Sequence, residues 1–111
     1  NDHSIPTPDG LAPGAGSLVA ALRAASAQEP IVMGKPDAPM FETALRLLGV
    51  PAPNTLMIGD RLNTDITGAV LLGMKTVLVL TGVSTRSDVE ASPVKPDAVF
   101  EDLVHFLRTW Q

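Results

Sequence analysis

Short apolar runs alternate along the chain with segments in which apolar residues recur at helical spacing. The apolar runs, which predict β-strands, lie at residues 30–34, 55–58, 75–80 and 97–100. The segments between and before them predict helices at about 17–25, 38–48, 64–72 and 85–91. A last helix carries apolar residues at the i, i+3, i+4 and i+7 positions, namely Leu103, Phe106, Leu107 and Trp110. This alternation with short links predicts an α/β fold, with a parallel sheet of about four strands and helices on both faces.

Polar and small residues mark where the predicted helices begin and end. Residues 1–16 are rich in proline and glycine and predict a connecting segment without long regular structure. Gly49 is placed to end the second helix, and Thr85-x-x-Asp88 resembles a capping box. The predicted helix N-caps are Ser17, Asp37, Asn63 or Thr64, and Thr85.

Composition excludes several classes of protein. The chain has 111 residues, a length that suits one domain, and its net charge is −4 at a pI near 4.9. This acidic balance argues against a sequence-independent nucleic-acid binder, which needs a basic surface. There is no cysteine, so a disulfide and a thiolate metal site are excluded. No apolar run approaches the ~20 residues of a membrane span, and no signal segment begins the chain, so we expect a cytoplasmic protein with no membrane partner.

Two carboxylates follow the second predicted strand. Gly59-Asp60 ends this strand, and Asp65 lies in the first turn of the next helix. The carboxyl ends of strands in an open parallel sheet are where ligands bind. Hard cations such as Mg²⁺ prefer carboxylate oxygens, so Asp60 and Asp65 are candidate metal residues. The alternative is that Asp60 is a turn residue and Asp65 complements the positive end of the helix.

Lys35 occupies a matching position after the first predicted strand. It follows Gly34 and precedes a predicted helix, as Asp60 follows Gly59. If the two strands are neighbours, Lys35 and Asp60 face one crevice, where an ammonium group would neutralise and orient an anion such as phosphate. A solvated surface lysine is the alternative for Lys35 alone. The conjunction of the two strand ends favours a phosphate site.

The sequence Gly34-Lys35-Pro36, followed by Met57-Ile58-Gly59-Asp60-Arg61-Leu62-Asn63-Thr64-Asp65-Ile66, resembles the haloacid dehalogenase (HAD) superfamily of phosphohydrolases. Within it, the chain is most similar to the NagD-like branch, which includes 4-nitrophenylphosphatases. The resemblance implies part of a three-layer Rossmann-like core, formed by residues 17–111, with residues 1–16 as the linker from a cap domain. It implies Mg²⁺ as cofactor and a small phosphorylated metabolite as substrate.

The resemblance also implies residue roles. Lys35 would position the phosphoryl group, and Asp60 would bind Mg²⁺. Asp65 would take part in catalysis beside Lys35 and in the metal site beside Asp60. Asn1 and Asp2 look like the end of a substrate-binding segment, although their spacing is shifted from that of the family.

One departure from the family is large. The family's nucleophile lies in an Asp-x-Asp-Gly motif, and this motif is not in the sequence. The chain also begins with Asn1 rather than Met. We therefore expect a fragment of a phosphatase that is inactive alone and whose partner is the missing N-terminal part of the same protein. The alternative is a non-catalytic binding or dimerisation module that pairs an open sheet edge with a second copy.

Overall fold

Strand β4, residues Lys75–Val79, lies at the centre of a parallel three-stranded sheet in the computed structural model, which describes residues 3–109. It pairs on one side with β3, Leu56–Gly59, and on the other with β5, Ala98–Phe100. The register places Gly59 beside Leu78 and Val79 beside Phe100. The sheet therefore has the predicted parallel direction, but it contains three strands rather than four.

The two faces of the sheet bury different clusters because successive residues of a strand point to opposite sides. Leu78 is fully buried and packs with Leu62 and Ile66 on one face. Val77 and Val79 pack with Phe106 on the other face. Since these partners come from different helices, the prediction of helices on both faces is confirmed.

The helices follow the predicted order. Their bounds are Ala38–Leu48 for α2, Thr67–Leu71 for α3, Arg86–Ala91 for α4 and Leu103–Thr109 for α5. A 3₁₀ turn, Ala52–Asn54, precedes β3, and a π-helical turn, Leu62–Ile66, precedes α3. Gly49 ends α2 in the left-handed conformation, with φ 67°. The predicted capping box of α4 is confirmed, with Thr85 and Asp88 bonded reciprocally.

The chain divides into two compact units, residues 1–34 and 35–111. In the first, β1 (Ser4–Thr7) and β2 (Gly10–Pro13) form an antiparallel hairpin that is followed by helix α1, Ala15–Ser26. The predicted helix at about 17–25 is confirmed, whereas the expectation of an irregular segment over residues 1–16 was wrong. Pro8-Asp9-Gly10 makes a tight turn in which Gly10 has φ +123°, so proline and glycine here shape a hairpin rather than prevent one.

The predicted strand at residues 30–34 is not formed. Within residues 3–109 no strand pairs with it, and Ile31 and Met33 are exposed. An apolar run needs a neighbouring strand to satisfy its backbone groups, and this one has none.

Two predicted N-caps were wrong, and a third, Asp37, is at its predicted position. Helix α1 begins after Gly14, and Ser17 instead donates from its hydroxyl to the His3 carbonyl. Asp37 holds the N-cap position of α2 without a hydrogen bond from its side chain. The turn at Leu62–Ile66 begins after Arg61, so Asn63 and Thr64 lie inside it rather than before it.

Asp97 fixes the start of β5 against β4. Its Oδ2 accepts hydrogen bonds from the Thr76 amide at 2.8 Å and the Thr76 hydroxyl at 3.0 Å. The Asp97 amide donates back to the Thr76 hydroxyl at 3.1 Å. The bond from the Thr76 amide, followed by that from its hydroxyl, lowers the pKa of Asp97.

Among residues 3–109, no helix is long and apolar enough to cross a membrane.

Candidate functional site

A buried carboxylate lies just beyond the carboxyl end of β3. Asp65 is only 3% exposed, and its Oδ1 lies 2.6 Å from the Nζ of Lys35. The Lys35 side chain is 39% exposed, so the ammonium joins a buried anion to the open side of the site. A buried charge is stable only when it is paired, and this pair meets that requirement.

The second oxygen of Asp65 binds the loop that follows β3. Asp65 Oδ2 accepts hydrogen bonds from the amides of Arg61 at 3.1 Å and Asp60 at 3.3 Å. Hydrogen bonds to a carboxylate are stronger than those between neutral groups, so they hold this loop firmly. Both oxygens of Asp65 are thus occupied by groups of this chain.

Helix α3 supports the segment that carries Lys35. A β-carbon built on Gly68 would lie 2.6 Å from the carbonyl oxygen of Pro36 and 2.4 Å from Cε2 of Phe41. Only glycine allows α3 to approach the residue after Lys35 this closely. This packing explains how Lys35 reaches Asp65 although residues 30–34 form no strand.

Asp60 is partly buried and points one carboxylate oxygen toward the loop after β4. Asp60 Oδ2 accepts a hydrogen bond from the Val83 amide at 3.0 Å, and its carbonyl accepts one from the Ser84 amide at 3.0 Å. Within residues 3–109, nothing donates to Asp60 Oδ1. Asp60 therefore has one carboxylate oxygen held by the protein and one without a hydrogen-bond donor in the described part of the chain.

Of the two carboxylates at this site, one can serve as a ligand of Mg²⁺. In the described part of the chain, no group of three histidine, cysteine or acidic side chains could hold a metal by itself. Mg²⁺ is commonly held by one or two carboxylates together with waters and phosphate oxygens. Asp60 can supply one such carboxylate, whereas Asp65 has both oxygens occupied and fits the role of an orienting neighbour.

The structure brings together Lys35, Asp60 and Asp65, three of the five predicted site residues. The other two, Asn1 and Asp2, lie outside the described residues. Sequence reasoning missed the contribution of Val83 and Ser84. The available signal was Thr81-Gly82-Val83-Ser84, which follows the strand beside β3 and so had to end at the same edge of the sheet.

Comparison with known proteins places this geometry in a family. A profile of HAD-hydrolase-like proteins matches residues 32–106. The chain belongs to the HAD-hydrolase-like family. The resemblance identified from the sequence is therefore confirmed, as is the α/β fold class.

Two HAD-hydrolase-like structures and one curated relative illustrate the similarity. The dihydroxyacetone phosphatase of Corynebacterium glutamicum is 35% identical over 109 residues, which cover 98% of this chain and 40% of that protein. The p-nitrophenyl phosphatase of Archaeoglobus fulgidus superposes with a TM-score of 0.85 at 36% identity, covering 97% of this chain and 43% of that one. A glycerol phosphate phosphatase of Mycobacterium tuberculosis in complex with magnesium gives a TM-score of 0.76 at 42% identity, covering 94% and 32%.

The similarity spans nearly all of this HAD-hydrolase-like chain but only part of its relatives. The chain covers about two fifths of the length of the curated phosphatases that it matches. The relatives thus contain residues that have no counterpart in this sequence.

Proposed function

We propose that the chain is part of the catalytic core of a Mg²⁺-dependent phosphatase that hydrolyses small phosphate monoesters. The reaction would pass through an aspartyl-phosphate whose aspartate lies outside this chain, so that the chain is inactive alone. The observation that carries the proposal is the Lys35–Asp65 ion pair, 2.6 Å long, beside the open carboxylate oxygen of Asp60.

Asp60 is the residue that would hold Mg²⁺. When bound, the ion would neutralise charge on the phosphate oxygens. The Val83 amide holds Oδ2 of Asp60 and leaves Oδ1 for this purpose.

Lys35 would bind the phosphoryl group at the same edge of the sheet. Its ammonium is fixed on one side by the buried Asp65 and is partly exposed on the other, so it can donate to an incoming anion. Preorganised charge of this kind stabilises the negative charge of a phosphoryl-transfer transition state without later rearrangement. Asp65 acts through Lys35 and through the amides of residues 60 and 61.

The relatives support the same reaction class. They include a dihydroxyacetone phosphatase and a p-nitrophenyl phosphatase, and one related structure is a complex with magnesium. Because the names of the relatives give different substrates, the similarity favours a small phosphate monoester but does not identify which one.

The experiment measures turnover of 4-nitrophenyl phosphate by the full-length protein that contains this chain. We expect Mg²⁺-dependent turnover, loss of it in Asp60→Asn and Lys35→Met, and a phosphoenzyme trapped by acid quenching. The isolated 111-residue chain should show no turnover. Activity of the isolated chain that Asp60→Asn abolishes would overturn the proposal that the nucleophilic aspartate lies outside this chain, since the chain would then hold a complete site.

A binding or dimerisation module is the second candidate, and the edge of β3 favours it. Among the described strands, β3 pairs only with β4, so its other edge is open. An open edge pairs readily with another strand, from the rest of the same protein or from a second copy. Light scattering after size-exclusion chromatography distinguishes the dimerisation module from the phosphatase core. A concentration-dependent dimer of the 111-residue chain supports the module, and a monomer supports pairing with the rest of the core.

A further inference from the structure

The loop after β4 lies directly against the carboxylate that the proposed function assigns to Mg²⁺. This loop, residues 81–84, makes three hydrogen bonds to the segment after β3. The Val83 amide donates to Asp60 Oδ2, and the Ser84 amide donates to the Asp60 carbonyl, both at 3.0 Å. The Ser84 hydroxyl accepts from the Leu62 amide, also at 3.0 Å.

Gly82 provides the space in which the Asp60 carboxylate sits. A β-carbon built on Gly82 would lie 2.0 Å from Oδ2 and 2.5 Å from Cγ of Asp60. No real β-carbon approaches another atom this closely, so any side chain at position 82 would displace the carboxylate. Gly82 is exposed and has no positive φ that would require glycine, which leaves the neighbouring carboxylate as the reason for a glycine here.

Ser84 is the fixed point of the loop. It is 9% exposed and forms hydrogen bonds with both Asp60 and Leu62. Burial of an amide such as that of Leu62 without an acceptor would cost free energy, so the hydroxyl of Ser84 determines where the 60–62 segment rests.

We propose that Gly82 and Ser84 are positioning residues that set the orientation of the Asp60 carboxylate, so that Oδ2 is held by the protein and Oδ1 faces the metal. The inference rests on the proposed function, because it assumes that Asp60 binds Mg²⁺. It goes further because it makes the affinity of Asp60 for Mg²⁺ depend on the loop that follows the neighbouring strand, β4. Residues that orient a metal ligand typically change metal affinity or activity by about 10- to 100-fold when they are replaced.

The test uses the full-length protein and five variants. Gly82→Ala displaces the carboxylate, Ser84→Ala removes the acceptor for Leu62, and Ser84→Thr restores a hydroxyl. Ser84 is one of the residues that line a cavity of 690 Å³. Ser92→Ala is the matched control, because the Ser92 hydroxyl also accepts one backbone amide, that of Val94 at 3.1 Å, and makes no hydrogen bond to residues 60–62 in the described part of the chain. Asp60→Asn tests the metal ligand itself.

Three quantities are measured for each variant. The first is the Mg²⁺ concentration that gives half-maximal turnover of 4-nitrophenyl phosphate. The second is the hydrogen-exchange rate of the Val83 amide in metal-free protein. The third is the thermal midpoint, which reports any general loss of stability.

We expect Gly82→Ala and Ser84→Ala to raise the half-saturating Mg²⁺ concentration by about tenfold or more, with most of kcat recovered at saturating Mg²⁺. The Val83 amide should exchange faster in Gly82→Ala, because its acceptor has moved. Ser84→Thr should stay near the wild-type value. Ser92→Ala should lower the thermal midpoint without changing the Mg²⁺ requirement.

The outcomes separate this inference from the proposed function. If Asp60→Asn keeps wild-type turnover, the proposed function fails. If Asp60→Asn is inactive while Gly82→Ala and Ser84→Ala keep the wild-type Mg²⁺ requirement, the positioning role is wrong and the proposed function stands. If Gly82→Ala does not fold, the comparison of Ser84→Ala with Ser92→Ala decides alone.

Discussion

Gly59 and Asp65 touch so closely that no side chain fits between them. A β-carbon built on Gly59 would lie 2.4 Å from the β-carbon of Asp65 and 2.7 Å from its Oδ2. The glycine that ends β3 therefore leaves room for the carboxylate that binds Lys35 and the 60–61 amides. The Gly-Asp sequence at the strand end is explained by packing against Asp65 as well as by the turn.

This contact predicts a specific effect of Gly59→Ala. The added methyl group would push Asp65 away from the loop amides, and overpacking of this kind typically costs about 1–3 kcal/mol. Urea unfolding measures the free energy of unfolding. Gly34→Ala is the control, since nothing lies within 4 Å of its β-carbon position and its φ is not positive. Equal effects of the two substitutions would contradict the close contact at Gly59.

The Lys35–Asp65 pair predicts strong coupling between two substitutions. Lys35→Met leaves a buried carboxylate without its cation, and Asp65→Asn removes the acceptor for Lys35 and weakens the loop. Each should destabilise, and the double variant should cost less than the sum, with a coupling of about 0.5–3 kcal/mol. A double-mutant cycle of unfolding free energies measures this. Additive effects would mean that the two side chains do not interact in solution.

Asp97 predicts part of the acid sensitivity of the protein. Its pKa is lowered in the folded state, first by the Thr76 amide and then by the Thr76 hydroxyl. A carboxyl group whose folded pKa lies below the unfolded value of about 3.9 stabilises the protein above that pH. This stabilisation is lost as the pH falls through the lowered pKa. Asp97→Asn should therefore be less stable than wild type at pH 7, and the difference should shrink below about pH 4.

Unfolding free energies at pH 7 and pH 3 check this expectation. Glu90→Gln is the matched control, because the Glu90 carboxylate makes no hydrogen bond or ion pair within residues 3–109. A difference between wild type and Asp97→Asn that is the same at both pH values would refute the assignment to the charged form.

The capping box of α4 predicts a stability cost for Thr85→Ala. The Thr85 hydroxyl accepts from the Asp88 amide, and Asp88 accepts from the Thr85 amide at 2.8 Å. Loss of an N-cap hydroxyl typically costs about 1 kcal/mol. Thr81→Ala makes the same chemical change at a threonine that is also exposed but whose hydroxyl has no hydrogen bond in the described part of the chain, so we expect a smaller loss of unfolding free energy. A thermal melt that ranks the two in the reverse order would show that the cap is not formed.

Much of the site could be predicted from the sequence because it depends on strand ends. Gly59-Asp60 follows an apolar run, and parallel strands bring their carboxyl ends to one edge, so Asp60 was expected at a ligand site. Asp65 was expected nearby because it lies one turn later. Lys35 was expected at the same site from its position after Gly34, and the resemblance to phosphohydrolases assigned it the phosphoryl group; the structure brings it within 2.6 Å of Asp65.

The errors have tertiary causes. Asn63 and Thr64 are good caps by residue type, but the amides that Asn63 would cap, those of Asp65 and Ile66, already donate to the Arg61 carbonyl at 3.0 and 3.2 Å. The run at residues 30–34 has strand composition but no partner strand among the described residues. The contact of Gly82 with Asp60 depends on the register of β3 against β4, which a local pattern does not encode.

Binding of Mg²⁺ to the full-length protein, measured by titration calorimetry in the absence of substrate, tests directly whether Asp60 is a ligand of the metal. We expect one Mg²⁺ site in the wild-type protein and a large loss of affinity in Asp60→Asn, with the thermal midpoint nearly unchanged. Unchanged Mg²⁺ affinity in Asp60→Asn would contradict this expectation, because the carboxylate at the end of β3 would then not be a ligand of the metal.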